Sequence, residues 1–503
     1  MVRTLVRAAS APLVPVWYTI RMNETNPTDQ LPAEFSPDEI DACMRVLQRV
    51  ANAPGSLRRD ARFKALIAKI YKETRRDEQR DERWRRLTED RAVRAATGMV
   101  AFQRDAVAPA LAAIPPAAAP PEVALGDSEA GAPRRTLHEP DTCYICKSQF
   151  TEVHFFYHLL CPACAAFNYG MRRLRADLAG RTALITGGRV KIGHQAVLRL
   201  LRDGARVIIT TRFPNAAARR FHAEPDSADW ACRLQVYGLD LRNIPAVERF
   251  ARHLIATEPA LDILIHNAAQ TVKRPHGFYR ELVALEQSPQ AALPAGARAL
   301  VRQAGAPAEI GPGLPQALAP FAPDVLPADS LEDNEERADS RAVNSWLLRL
   351  DEVSAGEMLE VQLVNSVAPF LLNSRLKPLM MQSPFARRFI VNVSAVEGQF
   401  RRHKTVFHPH TNMAKAALNM MTRTSGEDYA KDGIYMNSVD TGWVTDENPT
   451  PKRTRNQEDR GFFPPLDIVD GMARIYHPIA HGITLPEEPL YGHFLKDYAP
   501  CPW

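Results

Sequence analysis

The sequence predicts an α/β protein: a doubly wound parallel sheet joined to a helical N-terminal region and a small cysteine-rich domain. Two observations carry this. First, the apolar run Arg181-Thr182-Ala183-Leu184-Ile185-Thr186 breaks into Gly187-Gly188-Arg189-Val190-Lys191-Ile192-Gly193, and His194 to Leu201 continues it with helical spacing. Strand, glycine turn and helix form the first unit of such a sheet, with backbone N–H groups at the helix N-terminus turned toward an anion. Second, strand-like and helix-like segments alternate from about Asp177 onward, with strands read at 181–186, 205–211, 233–239, 261–267, 387–394 and 433–439. Asp203-Gly204 stops the first helix before the second strand.

At 503 residues the chain is too long for one ordinary core. A net charge of +5 is small for that size and argues against a nucleic-acid binder. No stretch approaches the roughly 20 apolar residues of a membrane span. Seven cysteines, four of them in CxxC pairs, point to a reducing, cytoplasmic setting rather than a disulfide scaffold.

Residues 1–35 read as a disordered extension, with Met22 an alternative start site. A helical region follows over 36–103. Ser36-Pro37-Asp38-Glu39 has the composition of a helix start, and Ile40, Met44, Leu47 and Val50 follow at helical spacing. A second helix is expected from near Asp60, with Phe63, Leu66, Ile67 and Ile70 on one face. Its continuation, Lys72 to Arg91, carries both charge signs and reads as a solvated helix. Residues 104–138 are rich in alanine and proline and read as a linker.

Cys143-Tyr144-Ile145-Cys146 and Cys161-Pro162-Ala163-Cys164 have fourteen residues between them and define a domain at 139–172. Two such knuckles supply four sulfurs for a tetrahedral ion, so Cys143, Cys146, Cys161 and Cys164 are predicted to hold a structural zinc. His154 and His158 are read as packing residues beside it.

Residues 175–503 resemble the short-chain dehydrogenase/reductase family, whose fold is Rossmann-like. The family's TGxxxGxG pattern is present as Thr186 to Gly193, with Lys191 in place of the middle glycine. Asp240-Leu241 matches the adenine contact, Asn267-Ala268-Ala269 the NAG motif, and Asn365 the helix asparagine. Asp440-Thr441-Gly442-Trp443-Val444-Thr445 resembles the segment that covers the nicotinamide. The resemblance implies an NADP(H)-dependent oxidoreductase acting on a carbonyl or alcohol. It places the cofactor on Gly187, Arg189, Lys191, Ile192, Gly193, Arg212, Asp240, Leu241, Asn267, Ala268, Lys415, Thr441, Gly442, Val444 and Thr445. The preference for NADP(H) follows from strand two ending Thr210-Thr211-Arg212, without the acid of an NAD site, and from Arg189 and Lys191 nearby.

Two departures concern chemistry. Lys415 occupies the lysine of YxxxK, but the tyrosine position holds Thr411; the usual catalytic serine position holds Ala395, beside Ser394. An aliphatic hydroxyl is a far weaker acid than a phenol of pKa near ~10. His408 and His410, titrating near neutrality, are therefore alternative acids, and the candidate catalytic set is Lys415, Asn365, Ser394, His410 and Thr411. An insertion at about 272–345 separates the fourth strand from Asn365; its alanine- and proline-rich middle reads as disordered, while Arg274, Phe278 and Tyr279 in its first part are candidates to line the site. The competing reading is a non-catalytic nucleotide-binding scaffold that recruits a protein partner through its N-terminal regions. A homo-oligomer is compatible with either.

Overall fold

A computed structural model describes residues 35–52, 56–105, 135–303, 339–400 and 404–503, so the extension before residue 35 and most of the linker lie outside the described residues. The chain divides into two units, Met1–Trp84 and Arg85–Trp503.

In the first unit, helix Pro37–Asn52 opens on a reciprocal cap. Ser36 N–H donates to Glu39 Oε2 at 2.8 Å, and Glu39 N–H donates to Ser36 Oγ at 3.3 Å. Asp60 caps the long helix Ala61–Ala95, accepting from the Arg62 and Phe63 N–H groups at 2.9 Å each. The apolar stripe stays at the surface: no residue of Pro37–Asn52 is buried, and Leu66 and Ile70 are half exposed.

The second unit carries a two-stranded hairpin, β1 (Thr136–Thr142) and β2 (Gln149–Glu152), and a nine-stranded sheet. The sheet is built from β3 (Thr182–Thr186), β4 (Arg206–Thr211), β5 (Leu234–Gly238), β6 (Ile263–His266), β7 (Val301–Arg302), β8 (Arg388–Ser394), β9 (Ile434–Asp440), β10 (Phe494–Lys496) and β11 (Ala499–Cys501). The spatial order is β11-β10-β9-β8-β6-β3-β4-β5-β7, parallel throughout except for β11 against β10. All six strands read from sequence are present. Strand alternation divides the core. Ala183, Ile185, Val207 and Ile209 face helices Lys191–Arg202 and Ile468–Thr484, while Leu184, Ile208, Leu264 and Ile390 face helices Ile244–Thr257 and Ala368–Met381. Chain order reverses between β3 and β6, which places a crevice at their carboxyl ends.

The insertion departs from expectation. Its described part is ordered well beyond residue 289, forming helix Ala295–Arg298 and the edge strand β7. Leu293, Ala297 and Leu300 are buried there, so three small or apolar side chains suffice to seat this composition on the sheet. Residues 304–338 lie outside the described set.

The cysteine-rich hairpin is tied to helix Ile468–Thr484 by buried charge. Arg172 Nη1 lies 2.7 Å from Asp467 Oδ1 and 3.0 Å from Asp470 Oδ1, and Tyr157 donates to Asp470 Oδ1 at 2.5 Å. Arg474 donates to Asn168 Oδ1 at 2.8 Å. The same hairpin shares an apolar cluster with Val444, Leu466 and Ile468.

Candidate active site

A cleft of about 1510 Å³ runs along the carboxyl ends of the central strands. One end is built by the glycine turn. Gly187 adopts φ +71°, and a Cβ there would lie 2.8 Å from Ala268 Cα; a Cβ on Gly193 would lie 2.2 Å from Gly187 O. Side chains are therefore excluded at both positions, leaving bare backbone at the N-terminus of helix Lys191–Arg202. Lys191, where the resemblance expects glycine, holds φ +53°, a conformation that costs a lysine on the order of 1 kcal/mol. Asn267 joins β6 to the turn, its Nδ2 donating to Gly187 O at 2.9 Å, and Ala268 N–H donates to Thr186 Oγ1 at 3.2 Å.

At the tip of β4 the Arg189 and Arg212 guanidinium carbons sit 5.4 and 5.3 Å from the Phe213 ring, and Arg212 lies 4.6 Å from that of Tyr279. Asp240 is gripped by Arg242, with contacts from 2.6 to 3.1 Å. Burial works against its charge, but Arg242 outweighs burial and holds the carboxyl below its usual range. Leu241 is buried beside it and lines the cleft. Of the insertion residues, Arg274 and Tyr279 line the cleft, while Phe278 is buried beneath Arg274, 4.8 Å from its guanidinium.

The other end is set by helix Pro409–Lys431. Lys415 and Thr411, four apart on one helical face, both line the cleft. The Lys415 ammonium donates to Val393 O at 2.8 Å. Burial brings its pKa down to about 8, with Glu397 and Asp440 opposing the shift. Thr411 Oγ1 is buried with no hydrogen-bond partner among the described residues. His410 does not line the cleft: it is buried, with Nε2 3.4 Å from Glu357 Oε1, and it is Glu357 that faces the cleft. His408 stacks on Trp346 at 3.9 Å. Ser394 donates its hydroxyl to Asn419 Oδ1 at 2.6 Å, and both Ser394 and Ala395 line the cleft.

Asn365 sits in a single π turn, Leu363–Val367, within an otherwise α-helical run. Both ends of its amide are used on one backbone unit: Gln270 N–H donates to Oδ1 at 2.7 Å, and Nδ2 donates to Gln270 O at 3.1 Å. Thr441, Gly442, Val444 and Thr445 line the cleft beyond the end of β9, together with Ile192. Asp440 at that strand end is fully buried, and burial raises its carboxyl to about 6 while Lys496 pulls the other way.

The four cysteines converge. Their sulfurs lie within 4.8 Å of one another, and Cys146 Sγ is 3.6 Å from Cys161 Sγ, far beyond the length of a disulfide. A tetrahedral ion with bonds of about 2.3 Å sets sulfurs about 3.8 Å apart, so the cluster has the right size. Hydrogen bonds from the Ser148 side chain and backbone lower the Cys146 thiol to about 6, while burial raises the Cys143 and Cys164 thiols, so the cluster needs a bound cation to hold all four as thiolates. His154 accepts from Phe156 N–H at 3.1 Å and His158 lies 3.2 Å from Phe463 O, so both histidines are engaged away from the sulfurs. Tyr144 and Lys147 of the first knuckle line the cleft, a placement sequence reasoning did not anticipate. Glu357, Glu397 and Asp440 were missed in the same way.

Residues 181–284 match the family model described as short chain dehydrogenase, and residues 342–459 that described as Enoyl-(Acyl carrier protein) reductase. An uncharacterized protein of Acanthamoeba polyphaga mimivirus is 34% identical over 350 residues, covering 67% of this chain and 71% of that protein. Dehydrogenase/reductase SDR family member 13 of Homo sapiens is 37% identical over 115 residues, 22% of this chain and 28% of that protein. Retinol dehydrogenase 13 of Mus musculus is 32% identical over 105 residues, 20% of this chain and 30% of that protein. The chain thus spans less than a third of the length of these two dehydrogenases. Among solved structures, a short chain dehydrogenase from Shigella flexneri aligns with a TM-score of 0.42 at 16% identity, covering 65% of this chain and 95% of that one. The NADPH-bound carbonyl reductase from chicken fatty liver aligns at 0.40 and 18% identity, over 65% of this chain and 100% of the other.

Proposed function

We propose that the chain, whose residues 181–284 and 342–459 match the short chain dehydrogenase and Enoyl-(Acyl carrier protein) reductase models, acts as a short-chain dehydrogenase/reductase and transfers a hydride between NADP(H) and a carbonyl or alcohol substrate. The observation that carries this reading is convergence: the bare glycine turn, Asn267, Lys415 and the Thr441–Thr445 segment border one cleft. A bound nicotinamide dinucleotide supplies the hydride. The chain's own part is to seat the pyrophosphate on the turn, hold the ribose with Lys415, and deliver a proton to the reacting oxygen. Residues 399–407, the insertion and the tail after Val444 are the segments we assign to substrate choice.

The preference for the phosphorylated cofactor rests on Arg212, the residue that follows β4, which would pair with a 2′-phosphate where no acid stands to receive free ribose hydroxyls. Calorimetric titration is expected to give tighter binding of NADPH than of NADH. Arg212→Ala should weaken NADPH roughly 10- to 100-fold, the worth of a charged hydrogen bond, and leave NADH nearly unchanged. Equal binding of the two nucleotides by the wild type sinks the assignment.

For the proton, Thr411 faces the cleft but is a poor acid, and the preceding residue His410 is buried off the cleft with its Nε2 3.4 Å from Glu357 Oε1, a carboxylate that does line it. We assign the proton reserve to His410. His410→Ala should cost more turnover than Thr411→Val, within the ~10²–10⁴-fold range of a lost general acid. The reverse order of losses returns the role to Thr411.

The four cysteines we assign to one structural zinc, since a closed set of four thiolates leaves no open position for chemistry. A second reading, a nucleotide-binding scaffold without catalysis, is favoured by Thr411 and Ala395 at the two altered positions and by the exposed apolar stripe of the N-terminal helices, a surface suited to a protein partner. Incubation with NADPH and a panel of carbonyl compounds, with nucleotide binding measured alongside, separates the two. Binding without reduction at any pH establishes the scaffold.

A further inference from the structure

The turn that closes the first cysteine pair also builds a wall of the cleft. Cys143 N–H donates to Ser148 O at 2.9 Å, and Lys147 N–H donates to Cys143 O at 3.1 Å, with Lys147 at φ +65°. This tight geometry keeps both cysteines on the sulfur cluster while Tyr144 and Lys147 line the cleft. The Tyr144 hydroxyl accepts a hydrogen bond from Trp443 N–H at 3.0 Å, across 299 positions of sequence. Trp443 stands between Gly442, at φ +77°, and Val444, whose side chain is buried in the same apolar cluster as Cys143, Leu160 and Cys161. The knuckle therefore grips the Thr441–Thr445 segment twice, once through a backbone N–H and once through an apolar side chain. Its far side is fastened to helix Ile468–Thr484 by Arg172 and Tyr157, so the grip has a fixed support.

We propose that metal binding at the four cysteines and dinucleotide binding in the cleft are energetically linked, with Tyr144 as the positioning residue that joins them. The metal holds the Cys143–Cys146 turn in shape, the turn places the Tyr144 hydroxyl, and the hydroxyl orders the segment expected to cover the nicotinamide. The inference rests on the reading of the cleft as a nucleotide site. Linkage is reciprocal: if the loaded knuckle tightens nucleotide binding, bound nucleotide must tighten the hold on the metal by the same factor.

The experiment uses the full chain with its metal. Wild type and Tyr144→Phe are titrated with NADPH, and zinc capture by a chromogenic chelator is measured with and without saturating NADPH. The phenylalanine keeps the ring and removes only the hydroxyl, and with it the acceptor of the Trp443 N–H bond. It should retain the metal and bind NADPH roughly three- to tenfold more weakly, the worth of one hydrogen bond. In the wild type, NADPH should raise the chelator concentration needed to strip the metal, and this protection should shrink in the variant. A purely packing role for Tyr144 predicts no dependence of metal capture on nucleotide. NADPH binding equal in the two proteins, with metal capture indifferent to NADPH, overturns the linkage and leaves the nucleotide reading standing. A wild type that binds neither NADPH nor NADH overturns both, and that result is visible before any variant is made. Should Tyr144→Phe fold poorly, the wild-type measurement of metal capture with and without NADPH decides alone.

Discussion

Cys161→Ser is expected to empty the metal site and to lower the melting temperature sharply. Cys161 is buried, starts helix Pro162–Met171 and belongs to the apolar cluster that holds the hairpin on the sheet domain. A serine hydroxyl does not ionise near neutrality, so the remaining three sulfurs would hold an ion far less tightly. Small zinc domains draw on the order of 10 kcal/mol or more from their metal, because the site exists only in the folded chain. The hairpin has little to replace it: two strands are marginal on their own, and β2 spans only Gln149–Glu152. Metal analysis of protein purified without chelator should give a ratio near one ion per chain for the wild type and near zero for the variant. Full zinc content with an unchanged melting curve would refute the assignment. The damage should also reach the cleft, since Val444 shares that cluster.

Lys415→Ala is expected to lower turnover by ~10²–10⁴-fold and to weaken NADPH binding as well. The ammonium is buried against Val393 O at 2.8 Å, beside a cleft whose lining includes Glu397 and the buried Asp440. Two pH effects of opposite sign follow from its pKa of about 8, depressed chiefly by burial. Turnover that needs the cation should fall as pH rises through about 8. Stability should move the other way. In the unfolded chain a lysine keeps its proton to about pH 10.4, so between the two values the unfolded state binds more protons and the lysine's contribution to stability rises with pH. Lys415→Met, which keeps the volume, separates these roles: it should fold, lose the pH-dependent stability and still turn over poorly. A methionine variant with wild-type turnover would remove Lys415 from the chemistry.

The elements legible in sequence are those fixed by short-range rules. The glycine turn announces itself because Gly187 and Gly193 leave no space for a Cβ, a constraint set within one strand–helix unit and its neighbour β6. The strands were readable because a sheet covered on both faces demands continuous apolar runs. The paired cysteines were readable because two thiolates two residues apart already share one turn. The insertion was less legible: alanine and proline lack periodicity, and only the burial of Leu293, Ala297 and Leu300 shows that the chain seats an edge strand there.

By itself, then, the sequence determined the doubly wound sheet, the cradle at its switch point and the identity of the sulfur cluster, since each follows from local sterics, periodicity or spacing. The tertiary structure alone decided that His410 is buried off the cleft and meets Glu357, and that the Ser394 hydroxyl donates to Asn419. It also decided that Tyr144 reaches Trp443 and that Arg172 pairs with Asp467 and Asp470. Residue type and spacing constrain neighbours along the chain. Which distant side chains share a cleft or a buried charge is settled only when packing and the need to pair buried polar groups select one arrangement of the whole.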